Sequence, residues 1–392
     1  MGYNPGLGRV FSDDVTRFIM PENAEVAAAK GKAAAAQSRF DALHGTVVDG
    51  VIPYLERSVK NGDRSDRIES IQLLVQLAPH VATAISVLAE SLSGDDLFVV
   101  AAAIEAIGES PKLVKETREA LISFLESTDP GLAWAAALAL SRLDKDDLIE
   151  AAPNLLVGLT HPSASCRSEL AKVFVSIACE LSSDIASELA ARMSCEKEQS
   201  IRSMFCEALA ESPFVPASAI EGVKLVVLDD DPETRLLGVR LLKRLISNCP
   251  EAGQLLADCC SDQSAAVRSS AIEGLYHSLH EESAFNAVVE AANDSEASVR
   301  QVVATTLAAP GRNIKEQVQH LCGLLKDRHH EVVVSAIESL GRIGREANSA
   351  LPSLVSLLAQ DSLEKDVLNA LKAIATVGDS SGGEKKHPDE NG

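Results

Sequence analysis

Histidine and glutamate residues that are adjacent in the sequence are the first candidates for chemistry, because together they can bind metal ions. His329-His330-Glu331 and His280-Glu281 are two such groups. A di-iron site needs a ring of such ligands, and the other half of the chain offers no matching set. Both groups fall in turns or at helix starts, where polar side chains cap the backbone. We therefore predict no metal site.

The cysteines and hydroxyl residues suggest no catalytic centre either. The chain has 8 cysteines, none of them spaced as CxxC, so neither a zinc site nor a disulfide framework is expected. The adjacent Cys259 and Cys260 leave a redox role as an alternative to two buried thiols at a helix end. Gly6-Leu7-Gly8 follows no strand and is no dinucleotide motif. The sequence thus assigns no catalytic residue and no cofactor.

Composition and charge narrow the class of function. Hydrophobic residues make up 46% of the 392 residues but aromatic residues only 3%, which favours an aliphatic, helical core. The net charge of −21 disfavours nucleic acid and would attract a partner with a basic surface. No apolar run is long enough for a membrane span, and no secretion signal is recognisable. We expect an acidic, cytoplasmic protein that contacts no membrane.

A repeat governs most of the chain. Arginines recur at steps of 35, 33, 33 and 32 residues. They are Arg167, Arg202, Arg235, Arg268 and Arg300. The frame extends to five further positions: Arg67, Val100, Trp134, Val333 and Leu368. Such a period is typical of an array of supersecondary units.

Within each unit, an apolar helical stretch precedes a turn, and an alanine-rich helix follows it. Asp often marks the turn, five or six residues before the repeated position, as at Asp229, Asp262, Asp294 and Asp327. The apolar spacing predicts first helices near 45–60, 80–93, 112–127, 146–159, 182–193, 216–228, 250–261, 281–292, 314–326 and 347–359. It predicts second helices near 63–78, 96–108, 130–142, 163–179, 197–210, 232–247, 264–278, 296–308, 329–343 and 362–376. No strand-like alternation competes.

This unit resembles the HEAT repeat, in which a helix like Leu351-Pro352-Ser353-Leu354 leads to a turn like that at Asp361. The resemblance covers residues 45–378. It implies an all-α fold, a right-handed α-α superhelix (solenoid) of about ten two-helix repeats. The signatures of tetratricopeptide and ankyrin repeats are missing, while the armadillo repeat, a nearer competitor, needs about ten more residues per unit.

The two ends of the chain differ from the array. Residues 1–44 are expected to form an irregular segment and a capping helix, which covers the open end of the first repeat. Residues 45–378 form the repeat solenoid. Residues 379–392 have nothing apolar to bury and are expected to be disordered.

The resemblance also implies roles for the repeated positions. In HEAT arrays the recurring arginine bonds the Asp of a neighbouring turn, which predicts a structural ladder of Arg67, Arg167, Arg202, Arg235, Arg268 and Arg300. Second helices line the concave face of such an array. Positions five and nine residues after the repeated position should point outwards there. The resulting candidate partner-binding residues, with Trp134 added as a possible hot spot, are Glu105, Glu109, Trp134, Lys172, Glu207, Glu211, Arg240, Arg244, Glu273, His277, Glu338 and Arg342.

The function that follows is a scaffold or adaptor that binds another protein through the concave face. The alternative is a lyase or chaperone-lyase resembling the helical-repeat bilin lyases, some of which have few obvious catalytic groups. Scarce aromatic residues count against a tetrapyrrole site. The sequence thus favours binding over catalysis, and identifies neither partner, pathway nor oligomeric state.

Overall fold

The computed structural model of the chain describes residues 50–78, 81–311 and 313–375. The regular elements in these ranges are helices, with no β-strand among them. Contacts group the chain into two compact units: unit 1 runs up to Leu181, and unit 2 begins at Ser182. The segment and capping helix expected over 1–44 and the tail expected over 379–392 lie outside the described residues. Each unit is a stack of two-helix repeats, as the sequence predicts.

Unit 1 contains four helix pairs within its described part. They are α1 (Ile52–Asn61) with α2 (Arg64–Leu77), α3 (Ala82–Ser91) with α4 (Leu97–Gly108), α5 (Pro111–Glu116) and α6 (Arg118–Ser123) with α7 (Pro130–Leu140), and α8 (Lys145–Leu155) with α9 (Ala164–Ser176). The helix predicted over 112–127 is divided at Thr117. The Thr117 hydroxyl donates to the Leu113 carbonyl at 2.8 Å, a back-bond that bends helices.

Unit 2 contains six helix pairs within its described part. They are α10 (Ser183–Cys195) with α11 (Gln199–Glu211), α12 (Ile220–Val226) with α13 (Pro232–Leu245), α14 (Pro250–Cys259) with α15 (Ala265–Gly274), α16 (Glu282–Glu290) with α17 (Ala297–Thr306), α18 (Ile314–Leu324) with α19 (His330–Ile343), and α20 (Leu351–Leu357) with α21 (Glu364–Ala375). Several first helices are shorter than expected because their ends tighten into 3₁₀ turns, as over Gly344–Ala350.

Local capping signals set where the helices begin. Asp129 Oδ1 accepts bonds from the backbone N–H groups of Gly131 and Leu132, at 2.8 and 3.1 Å, and so caps α7. Pro130 follows at the first helical position, where its missing N–H costs nothing. The longest helices have 14 residues. None in the described part is long and apolar enough to cross a membrane.

The core runs along the stack between first and second helices. Val267, Ala271 and Leu275, which share one face of the third repeat of unit 2, are completely buried. Small side chains such as Ala271 allow neighbouring second helices to approach closely. In unit 2 the second helices contact one another more closely than the first helices do. The second helices therefore form the inner layer of unit 2, and their solvent-facing side is called the inner face here.

Candidate binding face and groove

Repeated arginines in unit 2 bind the aspartate in the turn of the following repeat. Arg268 Nε lies 2.7 Å from Asp294 Oδ2, and Nη2 lies 2.8 Å from Oδ1. Its Nη1 donates to the carbonyl of Asp262 at 2.9 Å. The same bidentate pairs form between Arg235 and Asp262 and between Arg300 and Asp327. Each of these arginines thus joins its own turn to the next one with a planar, two-pronged contact.

The other arginines of the predicted ladder also anchor the backbone. Arg167 and Arg202 donate from Nη1 to the carbonyls six residues before them, at 2.8 and 2.6 Å. Arg67 donates to the Val59 carbonyl at 2.8 Å, and its guanidinium lies beside Gly94, where later repeats have an aspartate. The bond to the arginine's own turn therefore recurs in both units.

A histidine occupies the turn position of one repeat in unit 1. His161, six residues before Arg167, is buried. Its Nδ1 accepts from the Ser163 N–H at 3.0 Å, as Asp294 Oδ1 accepts from the Glu296 N–H at 2.8 Å in unit 2. The proton is then on Nε2, which donates to the Ser127 carbonyl at 2.9 Å. The pattern of turn aspartates does not include His161, but its offset of six residues from Arg167 is the sequence signal that indicates its role.

The ladder carboxylates stay charged because of their partners. The Arg300 guanidinium holds the pKa of Asp327 below its usual value, against the opposing effect of burial. Burial acts to raise the pKa of Asp294, but the bonds from Arg268 and the Glu296 N–H outweigh it and lower that pKa. Groups fixed in one charge state hold structure and do not exchange protons in a reaction.

A second set of arginines reaches back along the stack to carbonyl oxygens of the preceding repeat. Arg142 Nη1 donates to Gly108 at 2.6 Å in unit 1. Arg244 Nη1 donates to Ala210 at 2.9 Å in unit 2, and Arg342 Nη2 donates to Thr305 at 3.3 Å. A cation beside the last carbonyls of a helix is favourable because the helix C-terminus carries partial negative charge. Arg244 and Arg342, predicted as partner-binding residues, thus also join helices.

The predicted binding residues of unit 2 lie on its second helices, except for His277, which lies in the turn after α15. Their side chains are exposed, except for those of Glu207 and Arg244, which are half-buried. The exposed ones are Glu211, Arg240, Glu273, His277, Glu338 and Arg342. Ion pairs cross between repeats, from Arg240 to Glu211 and from Lys243 to Glu273 at 2.6 Å. This face therefore balances positive and negative charge, although the whole chain carries −21.

The predicted residues of unit 1 lie on its second helices or directly after them. Glu105, Glu109 and Lys172 are exposed, and Trp134 is 38% exposed on α7. Phe98, which the sequence reading did not single out, is 68% exposed at the start of α4. The Arg64 guanidinium lies 4.6 Å from the centre of its ring, a cation–π contact.

An open groove, called the inner groove here, crosses the C-terminal ends of α13, α15, α17 and α19. Its volume is about 380 Å³. Three predicted residues line it, Glu273, His277 and Arg342, together with Lys243 and Tyr276. The Tyr276 and His277 rings meet edge to face at 5.0 Å. Four successive repeats are needed to form this groove, so no single repeat motif could indicate it.

The cysteines and His-Glu groups form no reactive cluster in the part of the chain that the structure describes. Burial raises the pKa of Cys259 and of Cys260 to about 12, so both are thiols at neutral pH. His280 Nε2 lies 3.9 Å from Glu281 Oε1 on an exposed turn. No group of three or more His, Cys, Asp or Glu side chains suited to a metal ion occurs among the described residues.

Comparisons with known proteins agree with this architecture. A family model described as HEAT repeats matches residues 220–308 and 285–375. An engineered protein is similar in structure, with 20% identity, a TM-score of 0.50, and coverage of 83% of this chain and 99% of its own. A Kap121p mutant has 16% identity and a TM-score of 0.50 over 94% of this chain, which spans 45% of it. A search of curated proteins finds no match.

Proposed function

Since residues 220–375 match a family model of HEAT repeats, we propose that this chain is a scaffold or adaptor that binds another protein through the inner face of unit 2. The observation that carries the proposal is the inner groove, which four successive second helices form on this face. Exposed charged residues also lie on the second helices of this unit, among them Glu211, Arg240 and Glu338.

The ladder supports a binding role because it makes the surface preformed. Arg235, Arg268 and Arg300 tie successive turns together, and their helices present the inner face. A surface that is ordered before binding loses less conformational entropy when a partner arrives. Many modest contacts along such a face can then add up to specific recognition.

The chemistry of the described residues supports binding rather than catalysis. The most perturbed groups are buried thiols such as Cys206, whose pKa burial raises to about 12, and ladder carboxylates held in ion pairs. Neither kind faces the inner groove. The lyase alternative has no observation in its favour there. A fold alone does not define a function, so the site carries this argument.

The partner's surface and the protein's location are further parts of the proposal. Acidic side chains at Glu207, Glu211 and Glu338 would complement basic groups of a partner and speed its approach. The proposed location is the cytoplasm, where free, buried cysteines such as Cys166 and Cys206 stay reduced.

Affinity purification of the full chain, followed by mass spectrometry, tests this proposal. We expect a defined protein to co-purify with the wild type and to be lost from the double variant Glu211→Lys/Glu338→Lys on the inner face. The matched control, Glu282→Lys/Glu290→Lys, makes the same charge change on the first helix α16, where both residues are exposed. Equal retention by both variants, with unchanged thermal melting, would contradict the proposal.

A further inference from the structure

We propose that the inner groove binds an acidic segment of the partner protein, with an Asp or Glu carboxylate of that segment held between Lys243 and Arg342. The inference rests on the proposed function, since it assumes that a protein docks on the inner face of unit 2. It adds the chemistry of the segment that enters the groove.

The groove has more hydrogen-bond donors than it uses. Lys243 Nζ donates to one carboxylate oxygen of Glu273 at 2.6 Å and has two further protons. Among the described residues, Arg342 uses only Nη2, which donates to the Thr305 carbonyl at 3.3 Å and the Ser339 hydroxyl at 3.1 Å. His277 is exposed, and its ring nitrogens make no hydrogen bond with any described residue. These donors, which face solvent, can bind acceptor oxygens of a ligand in place of water.

The charges of the groove favour an anion. Lys243 and Arg342 are two permanent cations, and Glu273 is the one carboxylate that lines the groove with them. One further carboxylate would balance the site. A planar Arg342 guanidinium can receive that carboxylate with two parallel hydrogen bonds.

The backbone makes room for the lysine. A Cβ atom at Gly274 would lie 2.7 Å from Lys243 Cγ, so the absence of a side chain lets the lysine stem lie against the end of α15. Ile246 and the Tyr276 ring supply apolar wall beside the charged groups. A groove of about 380 Å³ with such mixed walls is large enough for a short peptide segment.

The surrounding acidity would make this groove selective. On most of a surface with a net charge of −21, an acidic segment is repelled. In the inner groove the acidic segment meets cations, so this contact would fix the position at which the partner binds along the inner face. Acidic residues on other parts of the second helices, Glu211 and Glu338, would take basic residues of the same partner.

Panning of a displayed library of short random peptides against the full chain tests the inference. We expect the enriched peptides to share an Asp or Glu at one fixed position. Their affinity should fall at least about tenfold in Lys243→Glu/Arg342→Glu, since removing a charged partner from a desolvated contact has effects of this size. The matched control Lys315→Glu/Lys326→Glu, at exposed positions on α18 and just after its end, should bind as the wild type does.

Two measurements distinguish weaker peptide binding from misfolding of the variants. Circular dichroism melting checks each variant, and Lys243→Met, which keeps the packed stem but removes the charge, should weaken binding without altering the fold. Enriched peptides without a shared acidic residue, or with equal affinity for the groove variant, would overturn the inference. If binding instead responds to Glu211→Lys/Glu338→Lys but not to the groove variant, the proposed function stands and the groove assignment fails. Preference for a single-stranded oligonucleotide over peptides would also overturn it.

Discussion

Arg268→Ala is the most direct test of the ladder in unit 2. The change removes two bonds to Asp294, at 2.7 and 2.8 Å, and two to the carbonyls of Asp262 and Gln263, at 2.9 and 3.1 Å. It also leaves the Asp294 carboxylate with the Glu296 N–H as its remaining partner at 2.8 Å. The side chains of the pair are 13% and 9% exposed, so water can only partly replace what is lost.

The size of the effect follows from that environment. Removing one partner of a fully buried pair costs about 3–5 kcal/mol. Since this pair retains some contact with solvent, we expect a loss of about 2–3 kcal/mol in the free energy of unfolding. For a unit of this size, that corresponds to a fall of roughly 5–10 °C in Tm.

Urea titration and calorimetry of the full chain measure this loss. Arg345→Ala is the matched control, because Arg345 is exposed and outside the ladder, and it should change stability by no more than about 0.5 kcal/mol. A double-mutant cycle with Asp294→Ala isolates the pair and should show coupling of about 1 kcal/mol or more. Equal stability of Arg268→Ala and the control would refute the account of the ladder as a stabilising contact.

Three further outcomes are expected. Arg300 lowers the pKa of Asp327 in the folded state, so in acid the folded state binds fewer protons than the unfolded state. The stability that this pair contributes is therefore present above the ordinary Asp pKa and is lost as the pH falls through the lowered pKa. Urea titrations at a series of acidic pH values should show that the free energy of unfolding depends less steeply on pH in Asp327→Asn than in the wild type. Gly238→Ala should destabilise the protein by about 1–3 kcal/mol, because the new Cβ would lie 2.7 Å from Val227 Cγ1. Gly323→Ala, which has open space around it, should stabilise the protein by up to about 1 kcal/mol. Thermal melts in which Gly238→Ala is the more stable of the two variants would contradict the packing. Cys259 and Cys260, with pKa values near 12, should react with a thiol reagent at neutral pH only after the exposed cysteines, as mass spectrometry of partly labelled protein would show.

The helices were predictable because their signals are local. Apolar spacing and the Asp-Pro pair at Asp129 and Pro130 define α7 without reference to any distant residue. Predicted and observed helices differ where helix ends tighten into 3₁₀ turns and where a side chain competes with the backbone, as at Thr117. The repeat frame also indicated the HEAT family, which the family model matches over residues 220–375.

The pairing of the ladder was harder to predict because it depends on register between repeats. Asp129 lies five residues before the repeated position and caps its own helix. Asp294 lies six residues before it and accepts both a backbone N–H and Arg268. A shift of one residue in a turn changes the direction of the side chain, and only the stacked repeats show which direction meets an arginine.

The sequence by itself determined the helical class, the period, the positions of the repeats and the polar rows on the second helices, because each depends on residues a few positions apart. Only the tertiary structure decided how those rows are used. It showed that Arg342 bonds Thr305, 37 residues away, and that Lys243, Tyr276 and Arg342 line one groove. Such contacts join residues of different repeats, and their distances are set by how closely the second helices pack.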